Sequence, residues 1–337
     1  MARILVIRFA SLGDIAISIP PVLAFAEQYP NHELFYLSNK RFASLFETMP
    51  DNVHFIGADL KGEHSSLYGL YKLAKEFRKL KIDYVADFHN VIKSQFICSI
   101  LRLSGIKIAS RKKDKISRLK LLHRHGKAIY DLKSYHERYA DVFADLSLPI
   151  KLKFQKLNIP SPIIKPENEK WIGIAPFSAH KGKIYPIEKI EEIVAYYSSK
   201  ANIKLFLFGG GKYESSVFEK WIDTYKTPFS MVGKYELQEE LGVMGKLDVM
   251  VSMDSANMHL AALMNTTVIS IWGPSHPAIG FRPWNQNKDT FIQIDLPCRP
   301  CSEWGAKPCK SGDFACMQGI KVQTITNKID SLIYGKN

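Results

Sequence analysis

Short runs of aliphatic and β-branched residues alternate along the chain with longer stretches whose apolar positions recur at helical spacing. Ile4 to Phe9, Glu33 to Leu37, Val53 to Ile56 and Tyr84 to Asp87 read as strands, with amphipathic segments between them. The rhythm restarts at Trp171 to Ala175 and runs through Lys204 to Phe208, Met231 to Val232, Val249 to Ser252 and Thr267 to Trp272. Repeated strand–helix–strand units imply mostly parallel sheets wrapped by helices, so two doubly wound α/β domains are expected. Pro160, Pro162 and Pro166 interrupt regular structure in Ile159 to Asn168 and mark a linker. The expected domains are residues 1–165 and 166–337. The segment Val322 to Tyr334 is expected to be a helix that crosses back to brace the first domain.

A length of 337 residues exceeds what one core usually serves, which agrees with two domains. With 46% apolar and 23% charged residues, the chain is not a disordered one. The formal net charge of +13 is unevenly placed: residues 1–165 hold 27 basic against 15 acidic residues, and the remainder 19 against 18. In its densest run Arg111, Lys112, Lys113, Lys115, Arg118, Lys120, Arg124 and Lys127 face only Asp114 and Asp131. Such a stripe is either a solvated face or a surface for an anionic partner: phosphorylated lipid, membrane or nucleic acid. No helix-turn-helix, zinc-finger or aromatic RNA-binding pattern accompanies it, and nucleic acid is not expected. The N-terminus has no uninterrupted apolar region before Arg8 and Asp14, so it reads as a first strand of a cytoplasmic protein. The apolar stretch Ile15 to Ala26 contains Pro20 and Pro21 and falls short of the roughly 20 residues of a membrane span. Membrane contact is therefore expected to be peripheral.

Candidate chemistry sits at strand–helix junctions. After the first strand come Ser11, Gly13 and Asp14, and Asp14 either caps the helix or acts as a general base toward a cleft. In the second half, Phe177, Ser178, Lys181, Gly182 and Lys183 form a loop suited to a pyrophosphate, where a lysine neutralises the charge of a departing nucleotide. Gly209 and Gly210 end a strand and allow close backbone approach, with Glu214 placed to bind sugar or ribose hydroxyls. Asp254, Ser255, Ala256 and Asn257 stand where a strand enters a helix, which offers free N–H groups and a hydroxyl to phosphates. His259 lies further along that helix.

These motifs, in this order, resemble glycosyltransferase family 9, the ADP-heptose:lipopolysaccharide heptosyltransferases. Ser11, Gly13, Asp14 and Pro20 match the opening pattern; Lys183, Tyr185 and Pro186 match the middle one, with Tyr185 where the family usually has tryptophan. Asp254, Ser255, His259 to Ala262, Gly273 and Pro274 match the late one, with Ala256 where glycine is frequent. The resemblance implies a GT-B fold and metal-independent inverting transfer from an ADP-sugar. It makes Asp14 the base, Lys183 the phosphate and leaving-group clamp, Ser255 with its neighbours the phosphate site, and Val232 and Gly233 part of the adenine pocket. It further implies an anionic glycolipid acceptor received by the basic first domain, through Arg111, Lys112, Lys113, Arg118, Lys120 and Arg124, at the inner face of the inner membrane. A nucleotide-sugar epimerase on the same architecture, or a basic nucleic-acid-binding protein, are the competing readings. Cys298, Cys301, Cys309 and Cys316 have the ligand number of a tetrahedral zinc site. With a single CxxC spacing, reduced structural thiols are preferred to zinc, and no cofactor beyond the nucleotide-sugar is expected.

Overall fold

The computed structural model describes residues 1–123 and 128–335 and divides into two compact units. The first comprises Met1–Lys113 and Ser134–Leu157; the second comprises Asp114–Lys133 and Asn158 onward. This division falls ahead of the expected boundary at 165, and it assigns Lys115, Arg118 and Lys120 of the basic run to the second unit.

In the first unit, β1 (Arg3–Ile7), β2 (Glu33–Asn39), β3 (Val53–Ala58), β4 (Tyr84–Asp87) and β5 (Lys107–Ser110) form a parallel sheet of order β3-β2-β1-β4-β5. Ile4 to Ile7 of the central strand are fully buried, as expected for a parallel strand covered on both faces. The crossovers are α1 (Leu12–Gln28), α2 (Leu67–Lys79) and α3 (Ile92–Arg102). In α2, Leu70, Leu73, Ala74 and Phe77 form the buried stripe that packs onto the sheet. Then α4 (Lys115–Leu122) lies in the second unit, and α5 (Tyr135–Asp145) returns to the first. Its Phe143 stacks on Phe25 of α1 with centroids 4.8 Å apart, and its Tyr139 stacks on Phe88 at 4.3 Å.

The second unit contains β6 (Lys170–Ala175), α6 (Ile187–Ser198), β7 (Ile203–Leu207), α7 (Lys212–Tyr225), β8 (Phe229–Ser230) and α8 (Leu237–Met244). It continues with β9 (Val249–Met253), α9 (Ala256–Leu263), β10 (Val268–Ile271), β11 (Phe291–Ile292), α10 (Ala315–Gln318) and α11 (Val322–Ile333). The strands are parallel in the order β11-β10-β9-β6-β7-β8. Strand β8 lies at Phe229–Ser230, where Ser230 pairs with Leu207, and not at Met231 to Val232, which follow it. The tail helix completes the second core. Ile325, Ile329 and Ile333 are buried there, and the Tyr197 hydroxyl of α6 lies 2.7 Å from Asp330.

In both sheets the chain runs outward to one edge and then returns to the other side of its first strand. The order therefore reverses between β1 and β4 and between β6 and β9. At such a reversal the carboxyl-end loops diverge and leave a crevice, which is where open α/β sheets bind ligands.

Candidate active site

At the first reversal the loop after β1 presents Asp14. Ser11, not Asp14, is the N-cap of α1; Asp14 lies within the first turn, and Ser11 Oγ donates to its Oδ2 at 2.9 Å. Its other oxygen meets Arg8 Nη2 at 2.7 Å, with Arg8 buried and the carboxylate partly exposed. The aspartate is thus oriented by a buried cation and a hydroxyl while remaining partly exposed at the crevice.

The loop after β4 brings a residue that the sequence motifs did not single out. Buried Asp87 accepts N–H bonds from His89 (3.0 Å) and Asn90 (2.8 Å) and the Ser94 hydroxyl, fixing the turn. His89 Nδ1 accepts the Phe9 N–H at 3.2 Å, which leaves the proton on Nε2. Burial, reinforced by the charge of Arg8, pushes the His89 pKa down to about 3, so the ring is a neutral donor at physiological pH.

Arg111, at the end of β5, is buried. Its Nε donates to Phe88 O at 3.1 Å, and its guanidinium lies 5.1 Å from the Tyr135 ring centroid. Arg8 Nε, Arg111 Nη1 and Tyr139 Oη are buried and have no hydrogen-bond partner among the described residues. Buried donors are costly to leave unmade, so an oxygen reaching these groups would relieve that cost.

The other expected acceptor-side cations do not share this setting. Lys112 is exposed and pairs with Asp145 at 3.4 Å. Lys113 is half-buried. Arg118 and Lys120 lie on α4 in the second unit; Arg118 pairs with Glu303 there, and Lys120 is exposed. Arg124 lies outside the described residues.

At the second reversal the loops after β6 and β9 converge. Lys183, 8% exposed, places Nζ 2.8 Å from Asp254 Oδ2, and Asp254 also accepts the Ser275 hydroxyl at 2.6 Å. Ser178 Oγ donates to Asp254 O at 3.2 Å, joining the two loops. Lys181, by contrast, is exposed. Ser255 is the N-cap of α9 but makes no side-chain capping bond; its hydroxyl lies 3.2 Å from that of Ser252. Ala256 and Asn257, half-buried, open the helix, so its first N–H groups face outward beside a buried ammonium.

Glu214 accepts the Gly210 N–H at 2.7 Å and closes over Gly209, and burial raises its pKa. Val232 and Gly233 follow β8 at the same carboxyl edge, Gly233 with φ +69 and open space around it. Phe177 is a core residue, its ring 5.7 Å from Phe218. His259 is buried within α9. Tyr185 is wholly buried and donates its hydroxyl to Ile320 O at 2.8 Å.

The cysteine segment supports this site from behind. Gly305, at φ +73, lies so close to Lys183 that a Cβ there would fall 2.5 Å from Lys183 Cγ. Buried Arg299 donates to Ser275 O (3.0 Å), Trp272 O (3.2 Å) and Gln293 Oε1 (3.0 Å), tying the segment to the loop after β10. Cys298, Cys301, Cys309 and Cys316 are thiols that line one small cavity of about 40 Å³. Among the described residues no group of three or more His, Cys, Asp or Glu is arranged to hold a metal ion.

The model of glycosyltransferase family 9 (heptosyltransferase) matches residues 70–308, a stretch that includes Lys183 and Asp254. The chain is 24% identical over 328 residues to the lipooligosaccharide heptosyltransferase 2 of Campylobacter jejuni serotype O:6, covering 95% of this chain and 96% of that one. Its fold is similar to that of the glycosyl transferase family 9 protein from Veillonella parvula, with TM-score 0.76, 18% identity and coverage of 99% and 98%. It is also similar to E. coli ADP-heptose lps heptosyltransferase II, with TM-score 0.71, 17% identity and 98% of each chain covered.

Proposed function

The chain belongs to glycosyltransferase family 9, and from that membership we propose that it transfers heptose from ADP-heptose to a hydroxyl of a lipopolysaccharide or lipooligosaccharide core. The architecture is GT-B, and the protein is a glycosyltransferase. In the proposed reaction Asp14 takes the proton of the acceptor hydroxyl as its oxygen attacks the anomeric carbon. The bond to the diphosphate oxygen breaks, and the configuration inverts.

Lys183 supplies the countercharge to the departing ADP, aided by the N-terminal amides of α9. An ammonium has three donors, so Lys183 can keep Asp254 and still reach a phosphate oxygen. Val232 and Gly233 bound the adenine side, and Glu214 with Gly209 and Gly210 the hydroxyls. On the acceptor side, neutral His89 and the unpartnered nitrogen of Arg111 suit an anionic core sugar. The single observation that supports this reading best is the carboxylate of Asp14, seated on buried Arg8 at the crevice of the first sheet.

Among the described residues no helix is long and apolar enough to cross a membrane. With a lipid-borne acceptor, the proposed location is peripheral, at the cytoplasmic face of the inner membrane. Calorimetric titration with ADP, UDP, GDP and CMP tests the donor assignment. Selective ADP binding that weakens in Lys183→Ala is expected. Equal binding of all four, or of none, removes it.

A further inference from the structure

Helix α2 buries one stripe and exposes another with an unusual composition. Tyr68, Tyr71, Lys72, Lys75 and Lys79 recur at spacings of three and four residues, opposite the buried Leu70, Leu73, Ala74 and Phe77. Tyr68 is 67% and Leu67 60% exposed, and Ile92, which opens the adjacent α3, is 80% exposed. The two tyrosine rings are not loose. Lys72 Nζ lies 4.8 Å from the Tyr68 centroid, and Lys75 Nζ 4.8 Å from that of Tyr71.

The helix carries four cations, Lys72, Lys75, Arg78 and Lys79, against the single acid Glu76. Among the described residues none of these cations is in an ion pair. A helix with lysines and amphipathic rings on its outer face, flanked by exposed aliphatic side chains, has what lies flat on an anionic bilayer. The ammonium groups meet lipid phosphates, the tyrosines sit at headgroup depth, and the aliphatic groups reach the acyl boundary.

We infer that the outer face of α2, with Ile92 beside it, is the surface by which this protein docks on an anionic membrane. The inference rests on the proposed membrane-borne acceptor only for its biological purpose; the binding itself requires no substrate. The occupant is lipid and not nucleic acid because Leu67 and Ile92 offer nothing to a phosphodiester backbone but would be buried in a bilayer. This stripe is separate from Arg111, whose guanidinium is buried at the crevice.

The test is co-sedimentation of the full chain with vesicles of phosphatidylcholine alone or mixed with phosphatidylglycerol, neither containing glycolipid. Wild type is expected to bind only the mixed vesicles, less so as salt rises. Each lysine near such a surface is worth about fivefold in partition, so Lys72→Glu/Lys75→Glu should lower binding at least about 25-fold. Tyr68→Ser/Tyr71→Ser should lower it several-fold and leave the remainder more salt-sensitive. The exposed pair Lys151→Glu/Lys153→Glu carries the same charge change elsewhere on the first unit and should stay within about threefold of wild type. A thermal midpoint confirms that each variant is folded.

Failure to bind mixed vesicles, equal loss in the Lys151/Lys153 control, or a change of oligomeric state in place of vesicle binding would each overturn the inference. So would binding that follows RNA and not lipid. Because ADP titration is independent of vesicles, loss of the donor assignment and loss of this docking face are separately visible.

Discussion

The pair Lys183–Asp254 can be dissected by a double-mutant cycle. Nζ and Oδ2 are 2.8 Å apart, with side chains only 10% and 8% exposed. Lys183→Met leaves a buried carboxylate supported by Ser275 alone, a loss of about 3–5 kcal/mol. At roughly 2–4 °C per kcal/mol for a unit of this size, the thermal midpoint should fall by about 6–20 °C. Asp254→Asn keeps an oxygen for both partners and should cost less, about 1–3 kcal/mol.

Combining the two removes the stranded charge, so the double variant should be more stable than the sum predicts, by about 2 kcal/mol or more. Donor binding should not follow stability. Lys183→Met removes a charge-assisted bond to the diphosphate worth about 1.5–3 kcal/mol, weakening ADP roughly 10–150-fold. Asp254→Asn frees the ammonium from its competitor and should leave ADP affinity within about threefold of wild type, or tighter. The assays are thermal denaturation and calorimetric ADP titration of all four proteins. Strict additivity of stability would refute the coupling. ADP weakening in Asp254→Asn equal to that in Lys183→Met would refute the assignment of phosphate to the lysine alone.

Asp14→Asn should lower turnover by about 10²–10⁴ while ADP affinity changes less than about twofold; turnover within tenfold of wild type would exclude Asp14 as the base. His89 titrates at about 3 in the folded chain, below the roughly 6.5 of an unfolded one. The unfolded state therefore takes up the proton first, and stability is lost as pH falls from about 6.5 toward 3. By pH 5 this amounts to about 2 kcal/mol. His89→Asn retains an acceptor for the Phe9 N–H and should lack that component when urea midpoints at neutral pH and pH 5 are compared; an unchanged pH dependence would contradict the buried neutral ring.

The parallel architecture was legible because buried strands and crossover helices differ in period along the chain. Strands β5 and β11 were not, since Lys107–Ser110 holds only two apolar residues between a lysine and a serine and β11 has only two residues; both exist through pairing with β4 and β10. Asp14 and Lys183 could be read from local motifs. His89 could not, because in sequence it is a histidine between Phe88 and Asn90, and only the pairing of β4 with β1 brings it to Phe9. Arg111 was expected on the acceptor side as one of six equivalent cations; that it alone of those described folds inward over Tyr135 was not legible from the run. The roles of Arg299 and Gly305 depend wholly on tertiary packing behind Lys183, for which a cysteine-spaced loop offers no local signal.

The return of α5 to the first unit orders events on the ribosome. When Lys113 has emerged, all five strands of the first sheet exist, yet Phe25 and Phe88 still lack the rings of Phe143 and Tyr139. Synthesis from Lys113 to Leu157 occupies roughly 2–9 s, during which that face of the nascent sheet is greasy and accessible to chaperones or to neighbouring chains. The residues that cover Phe25 and Phe88 are thus among the last of the first unit to be made, and a ribosome stalled in that interval would display a nearly complete sheet with one layer of its core still open.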